Sequence, residues 1–294
     1  MIGFFRSNQD PATGYFYDQD PAMRKDEVMV ARAIGYSLNA LHMLGSKPLY
    51  PLPYKAKQAP GYMQSLMTYE QWLQSVDLSN SWRGCDRLAC SSVYVKELDK
   101  PSQAAYAQTA FRFFSDIQDK ESGLWGSGSL YIRISGTFKL HTFYSSFREP
   151  MPLTEKMYAS ILYALRYEEA MDMCFIRNPV NLLSYIRPVV TEAELRFILE
   201  TTTYNMSRLL RRDGGFSREL AHSPSAPNVA QVKDGAFYPD MPLPVHLSEG
   251  RVEGDMNAAT QALLIRSLCC RHVGYSKPLL NEHKRNSFYS LIEE

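Results

Sequence analysis

Two groups of side chains in this sequence have residue types that carry out acid–base chemistry. Glu253 and Asp255 are carboxylic acids two positions apart, where a helical pattern begins. Lys139, His141 and Tyr144 lie within six residues on another helical stretch. Carboxyl, imidazole and phenol groups transfer protons when they are positioned against a substrate. We expect Asp255 and Glu253 to act as acid or base, with His141 and Tyr144 lining the same cavity.

Each group also has a structural explanation. Asp255 directly precedes the helix that starts at Met256, and aspartate at that position caps a helix N-terminus. His141 and Tyr144 are three residues apart and share a helix face, whereas Lys139 points elsewhere. Such a pair is also typical of the boundary between two packed helices. The sequence leaves both interpretations open.

Size and composition exclude several classes of protein. The chain has 294 residues and is 45% hydrophobic, enough to bury a substantial core, and we expect a single domain over 1–294. The net charge is +1 with both signs scattered, which argues against a nucleic-acid partner. No apolar run is long enough to span a membrane, and the start lacks a signal pattern. Five cysteines without CxxC pairing favour buried thiols in a reducing, cytoplasmic compartment.

Apolar periodicity predicts an all-α protein. Spacings of three and four indicate helices over 23–44, 64–77, 102–118, 136–147, 153–173, 192–211, 256–272 and 279–292. Strand-like alternation is nearly absent. The longest irregular stretch, 217–254, contains five prolines and is interpreted either as an ordered lid or as a surface excursion without a role.

One local pattern occurs three times: the end of a helix, an acidic turn, a glycine and an aromatic residue. The copies lie at 5–16, 114–125 and 209–216, and each is followed by a second shared helical phrase, at 37–41, 161–165 and 264–268. Glycine allows the chain to reverse, and Phe16, Trp125 and Phe216 are expected to fill the seam between neighbouring hairpins. The first copy has few residues before it, so we expect the chain to begin inside a helix and to lack an N-terminal segment. The repetition predicts stacked helical hairpins.

These turns, with Gln-Asp and Ser-Gly-Leu-Trp at 118–125 and Arg-Asp-Gly-Gly-Phe at 212–216, resemble the repeats of α/α toroids. The nearest similarity is to the terpenoid cyclase and protein prenyltransferase superfamily, and it covers most of the chain through the repeats. The pattern also recurs, more loosely, in carbohydrate-active toroids. The resemblance implies an α/α toroid or partial toroid whose inner helices surround a substrate cavity.

The catalytic motifs of that superfamily are not matched. The Asp-x-Asp-Asp acid of class II terpenoid cyclases has its nearest counterpart at 18–21, where proline replaces the last acid, and 168–172 only approximates the magnesium-binding motif of class I enzymes. The zinc site of prenyltransferases would need Asp255, Cys269 or Cys270, and His272, although His272 is explained more simply as a charge at a helix C-terminus. We expect neither a metal nor another cofactor.

Three functions remain open. The first is an enzyme that acts on an elongated, terpenoid-like substrate by acid–base chemistry. The second is a lyase or hydrolase of uronate-containing carbohydrates, since toroidal lyases need a Tyr or His base beside a group that neutralises the uronate, and toroidal hydrolases need two carboxyls. The third is a non-catalytic toroid that binds a ligand or a protein. In the enzyme hypotheses the partner is a small molecule or oligosaccharide in the central cavity, and the oligomeric state is left open.

Overall fold

The computed structural model describes residues 1–17, 24, 26–223 and 249–276, and this part of the chain contains helices and no β-strand. The helices are α1 (Ile2–Ser7), α2 (Glu27–Met43), α3 (Leu66–Ser75), α4 (Ser81–Cys90), α5 (Ser92–Val95), α6 (Lys100–Ile117), α7 (Leu130–Phe147), α8 (Thr154–Tyr167), α9 (Met173–Ile186), α10 (Glu192–Leu209) and α11 (Met256–His272). None of these helices is long and apolar enough to cross a membrane.

The all-α prediction is confirmed, with shifted boundaries. The predicted stretches correspond to α2, α3, α6, α7, α8, α10 and α11. The prediction at 153–173 was wrong beyond Tyr167, because Glu168 leaves the helical region and Asp172 starts a new helix. Helices α4 and α9 were not predicted. The stretch 279–292, the motif at 18–21 and most of the 217–254 segment lie outside the described residues.

Helix starts follow local side-chain chemistry. The first turn of a helix leaves backbone N–H groups without partners, and a short polar side chain just before the helix can accept from them. Most of the long helices use this device, and the capping residues are Asp26, Ser65, Asn80, Asp99, Ser129, Asp172, Thr191 and Asp255.

Five helices pack side by side in chain order. Helix α2 contacts α4, α4 contacts α7, α7 contacts α9, and α9 contacts α11. We call α2, α4, α7, α9 and α11 the core series. The helices between them, α3, α6, α8 and α10, are the return helices, and α3 contacts α6 while α8 contacts α10. Helix α8 contacts α7 and α9 of the core series, and α10 contacts α9.

Helices α7 and α9 run parallel. Near their N-termini the rings of Tyr131 and Phe175 stack with centroids 5.3 Å apart. Near their C-terminal ends the rings of His141 and Tyr185 are 3.8 Å apart. Parallel neighbours require the chain to travel back between them, and α8, which contacts both, does so.

The same holds for α9 and α11. The Cys174 thiol near the start of α9 donates to Gln261 Oε1 at 3.2 Å, and His272 at the end of α11 places Nε2 3.0 Å from the Val180 carbonyl. Helix α10 supplies the return. This order of helices is compatible with the stacked helical hairpins that the repeated sequence pattern predicts, while the toroid stays a prediction.

The three repeated turns are closed in a similar way, although the third is one residue shorter than the other two. In each, the glycine N–H donates back to a carbonyl of the turn, at 2.9, 2.9 and 3.0 Å for Gly14 to Asp10, Gly123 to Asp119 and Gly214 to Arg211. The three glycines have φ of 78°, 72° and 82°, in the left-handed region that glycine favours. The predicted role of glycine at these reversals is confirmed.

The aromatic residue that closes each turn contacts the core. Phe16 and Trp125 are buried, while Phe216 is partly buried and packs against buried residues. The Trp125 indole N–H donates to the Phe114 carbonyl at 2.7 Å, which ties the turn to the return helix before it. These residues therefore have a structural role in the fold.

Candidate functional site

The structure places Asp255 at the N-terminus of α11. Its Oδ1 accepts from the backbone N–H of Ala258 at 2.7 Å, and its Oδ2 accepts from the Ser223 hydroxyl at 3.0 Å. The same hydroxyl is 2.6 Å from the carbonyl of Glu253. The Asp255 carboxylate thus caps the helix and holds the segment before it, while its role as acid or base stays a prediction.

His141 is a buried, neutral imidazole. It lies on α7 and is 4% exposed, and burial lowers its pKa to about 4, although the adjacent Phe138 carbonyl favours the charged form. The charges of Arg177 and Lys139 lower this pKa further. Nδ1 lies against the Phe138 carbonyl and so carries the proton of the neutral ring. Nε2 is then left with a lone pair that has no hydrogen-bond donor among the described residues.

Tyr144 and His141 do not form one site. The Tyr144 ring packs against Phe111 and Trp125, with centroid separations of 5.0 and 6.1 Å, and burial raises its pKa. The tyrosine beside His141 is instead Tyr185 of α9, whose side chain is 47% exposed. The i, i+3 spacing places His141 and Tyr144 on neighbouring sides of α7. The His141 side packs against Tyr185 of α9, whereas the Tyr144 side packs against α6 and the turn that contains Trp125.

Three cationic side chains come together where α2, α4, α7 and α9 pack. Arg32 forms an ion pair with Asp86, and the Lys139 ammonium lies 3.6 Å from the same carboxylate. The third cation is Arg177 on α9, whose charge acts on Lys139. We call Arg32, Lys139 and Arg177 the cationic cluster. As predicted, Lys139 points away from His141, toward α4, yet its charge still acts on the imidazole.

Arg177 is held by neutral partners. Its Nε and Nη2 donate to Asn178 Oδ1 at 3.0 and 2.6 Å, and its guanidinium lies 4.8 Å from the ring centroid of Phe138. Asn178 in turn donates to Ser135 on α7 at 2.8 Å. No carboxylate lies within ion-pair distance of Arg177 in the described part of the chain. The guanidinium is therefore fixed in place without being neutralised.

The electrostatics of the cationic cluster are unbalanced. Burial lowers the pKa of Lys139, the Asp86 carboxylate opposes that effect, and Arg32 and Arg177 add to it. Beyond the cluster, Asp172 caps α9 and lies 3.7 Å from Arg218 Nε, and burial raises the pKa of its carboxyl. The charges of Arg218 and, more weakly, Arg177 act on this carboxyl. Arg32, Lys139, Arg177 and Arg218 thus outnumber the carboxylates of Asp86 and Asp172 in this part of the described chain.

The structure provides no evident metal centre in its described residues. No three His, Cys, Asp or Glu side chains there are grouped as metal ligands. Asp255 and His272 lie at opposite ends of α11, which separates two members of the zinc set considered from the sequence. The thiols of Cys85, Cys90 and Cys174 are buried, as predicted, whereas Cys269 and Cys270 are partly buried.

Known proteins give no direct guide. Comparisons with protein-family models, with curated proteins and with solved structures each found no match to this chain. Its function has to be inferred from the geometry around His141 and the cationic cluster.

Proposed function

We propose that the core series lines the cavity of an α/α toroid and that the protein is a lyase of uronate-containing carbohydrates. The observation that carries this proposal is the cationic cluster, in which Arg177 is oriented but has no carboxylate within ion-pair distance among the described residues. A planar guanidinium binds a carboxylate through two parallel hydrogen bonds. A uronate carboxylate is a ligand of that kind, whereas a neutral terpenoid would leave the charge unmatched.

In this proposal His141 is the base. Elimination from a uronate begins with removal of the proton on the carbon next to the carboxyl group, and a neutral imidazole with a free Nε2 can accept it. With a pKa of about 4, His141 is neutral at pH 7 without needing to lose a proton first. The phenol of Tyr185, whose ring centroid lies 3.8 Å from that of the imidazole, is the acid that donates to the leaving oxygen.

In the proposed elimination, His141 Nε2 takes the C5 proton. The C5–H bond breaks, its electron pair forms the C4–C5 double bond, and the C4–O bond breaks. The departing oxygen takes the Tyr185 proton, and solvent then returns a proton from His141 to Tyr185. Arg177 and Lys139 stabilise the negative charge that grows on the carboxylate as the C5 proton leaves, which is where fixed cations lower a barrier most.

Absorbance of the unsaturated product tests the proposal. The purified protein is incubated with polygalacturonate, alginate and glucuronate-containing polymers, and the ultraviolet absorbance of the new double bond is followed. We expect product from at least one polymer, and calorimetric binding of its short oligomers. Binding without product would instead support the non-catalytic toroid, and neither binding nor product across the panel would refute a uronate ligand.

A further inference from the structure

A pocket that His141 does not line lies where α9, α10 and α11 meet. Its volume is about 510 Å³, within the range of about 300–1,000 Å³ that is typical of small-molecule sites. Aliphatic side chains form one wall, and they are Leu183, Val190, Leu195 and Ile198. Arg187, Arg271 and His272 form the other. The pocket therefore presents an apolar surface and a basic surface to the same space.

The basic side of this pocket has no counter-charge among the described residues. None of the described residues that line it is acidic, and the side chains of Arg187 and Arg271 make no ion pair or hydrogen bond in the described part of the chain. The Ser184 hydroxyl, also in the lining, is buried and lacks a hydrogen-bond partner among the described residues. A buried hydroxyl without a partner is uncommon and indicates a place for a polar ligand atom.

The backbone gives an independent indication at Arg187. This residue ends α9 with φ of 47° and ψ of 54°, the left-handed conformation that glycine adopts more readily. Side chains held in that region are concentrated at functional sites. Arg148 ends α7 in the same conformation, with φ of 58°, but it does not line this pocket. It provides a matched control for the effect of the conformation alone.

We propose that this pocket binds a small amphipathic carboxylate, with its alkyl chain against the aliphatic wall and its carboxylate between Arg187 and Arg271. The proposal is separate from the lyase activity, since these residues lie outside the cationic cluster. Two arginines suit a carboxylate because charge-assisted hydrogen bonds to guanidinium are strong and directional. The Ser184 hydroxyl donates to the same carboxylate.

Calorimetric titration with octanoate tests this site, using concentrations below its critical micelle concentration. Two control ligands are acetate, which lacks the alkyl chain, and octanol, which lacks the charge. We expect octanoate to bind. Both analogues should bind at least about tenfold more weakly, because acetate cannot contact the aliphatic wall and octanol cannot pair with the arginines. Equal binding of acetate or octanol, or no binding of octanoate, would overturn the proposal.

Variants locate the site. Arg187→Gln and Arg271→Gln are each expected to weaken octanoate binding about tenfold, while Arg148→Gln leaves it unchanged. Arg187→Gly removes the side chain and suits the left-handed backbone. This variant should therefore fold at least as well as the wild type, yet bind octanoate more weakly than the wild type. Octanoate binding that is the same in all four variants would refute the pocket. Because this titration does not use polyuronates, its result is independent of whether the lyase proposal holds.

Discussion

Gln9 and Arg177 are both enclosed polar side chains, but only Gln9 has its hydrogen-bonding capacity matched by the fold. Its Oε1 accepts from the N–H groups of Leu49 and Tyr50 at 2.8 and 3.0 Å, and its Nε2 donates to the carbonyls of Gly14 and Tyr50 at 3.3 and 2.9 Å. Every partner is a backbone group. The first repeated turn is thereby joined to the segment that follows α2.

Arg177 is satisfied only in part. It is oriented by a neighbouring amide and an aromatic ring, and no carboxylate among the described residues lies within ion-pair distance of it. Placing like charges together in a partly buried region costs stability, so such a cluster is expected where a ligand supplies the missing charge. The polar side chains of the turns hold the scaffold, whereas those of the cationic cluster bind a ligand in our proposal.

The largest expected effect is on activity at His141. Replacing His141 with Gln removes the base and should lower polyuronate cleavage by about 10³-fold. Thr142→Ala is the matched control, since Thr142 is the next residue on α7 and is exposed. Initial rates of ultraviolet absorbance measure both. Wild-type rates in His141→Gln would show that the imidazole is only a packed core residue.

Arg177→Met should separate function from stability. We expect about 10²-fold lower activity, because the developing carboxylate charge loses its main partner. Stability in urea should be unchanged or higher, because an unneutralised guanidinium is replaced by an apolar side chain of similar length. A strongly destabilised Arg177→Met variant would mean that Arg177 belongs with the scaffold, as Gln9 does, and would remove the contrast between the two regions.

The repeated turns allow a matched test of the scaffold. A Cβ at Gly123 would lie 2.8 Å from the Met157 nitrogen and 2.9 Å from the Leu153 carbonyl oxygen, whereas a Cβ at Gly214 meets no atom within 4 Å. Both glycines have positive φ, so alanine carries a conformational cost of about 1 kcal/mol at either position. At Gly123 the backbone clash adds about 2 kcal/mol. Urea unfolding of Gly123→Ala and Gly214→Ala measures the difference, and equal losses would contradict it.

The sequence predicted the turns and most of the long helices, but it did not predict α4 and α9. Helix α4 is only ten residues long, most of them are buried, and Gly84, a poor helix former, lies in its middle. Helix α9 is similarly buried and contains Pro179. Asp86 and Arg177 lie on these two helices. His141 was found because its residue type is chemically distinctive, whereas its partner Tyr185 became evident only from the packing of α7 on α9.

The pKa of His141 also makes stability depend on pH. Above pH 6.5 the imidazole is neutral in both the folded and unfolded states and contributes no pH dependence. Between pH 6.5 and about 4 the unfolded state binds a proton that the folded state does not, so stability falls as the pH falls, by up to about 3 kcal/mol. His141→Phe should show a smaller decrease between pH 7 and pH 4.5 in urea unfolding. His42→Gln, at an exposed position on α2, is the control and should match the wild type.

The smallest expected effect is at Asp255, and it decides whether that carboxylate belongs to the scaffold or to the site. Asparagine caps helices about as well as aspartate, so Asp255→Asn should change stability by less than about 0.5 kcal/mol, whereas Asp255→Ala should lose about 1 kcal/mol. If the carboxylate only caps α11 and holds Ser223, Asp255→Asn should also cleave polyuronates at the wild-type rate. Loss of cleavage in Asp255→Asn with unchanged stability would instead make Asp255 an acid or base in its own right, because the substitution removes proton transfer and keeps the cap.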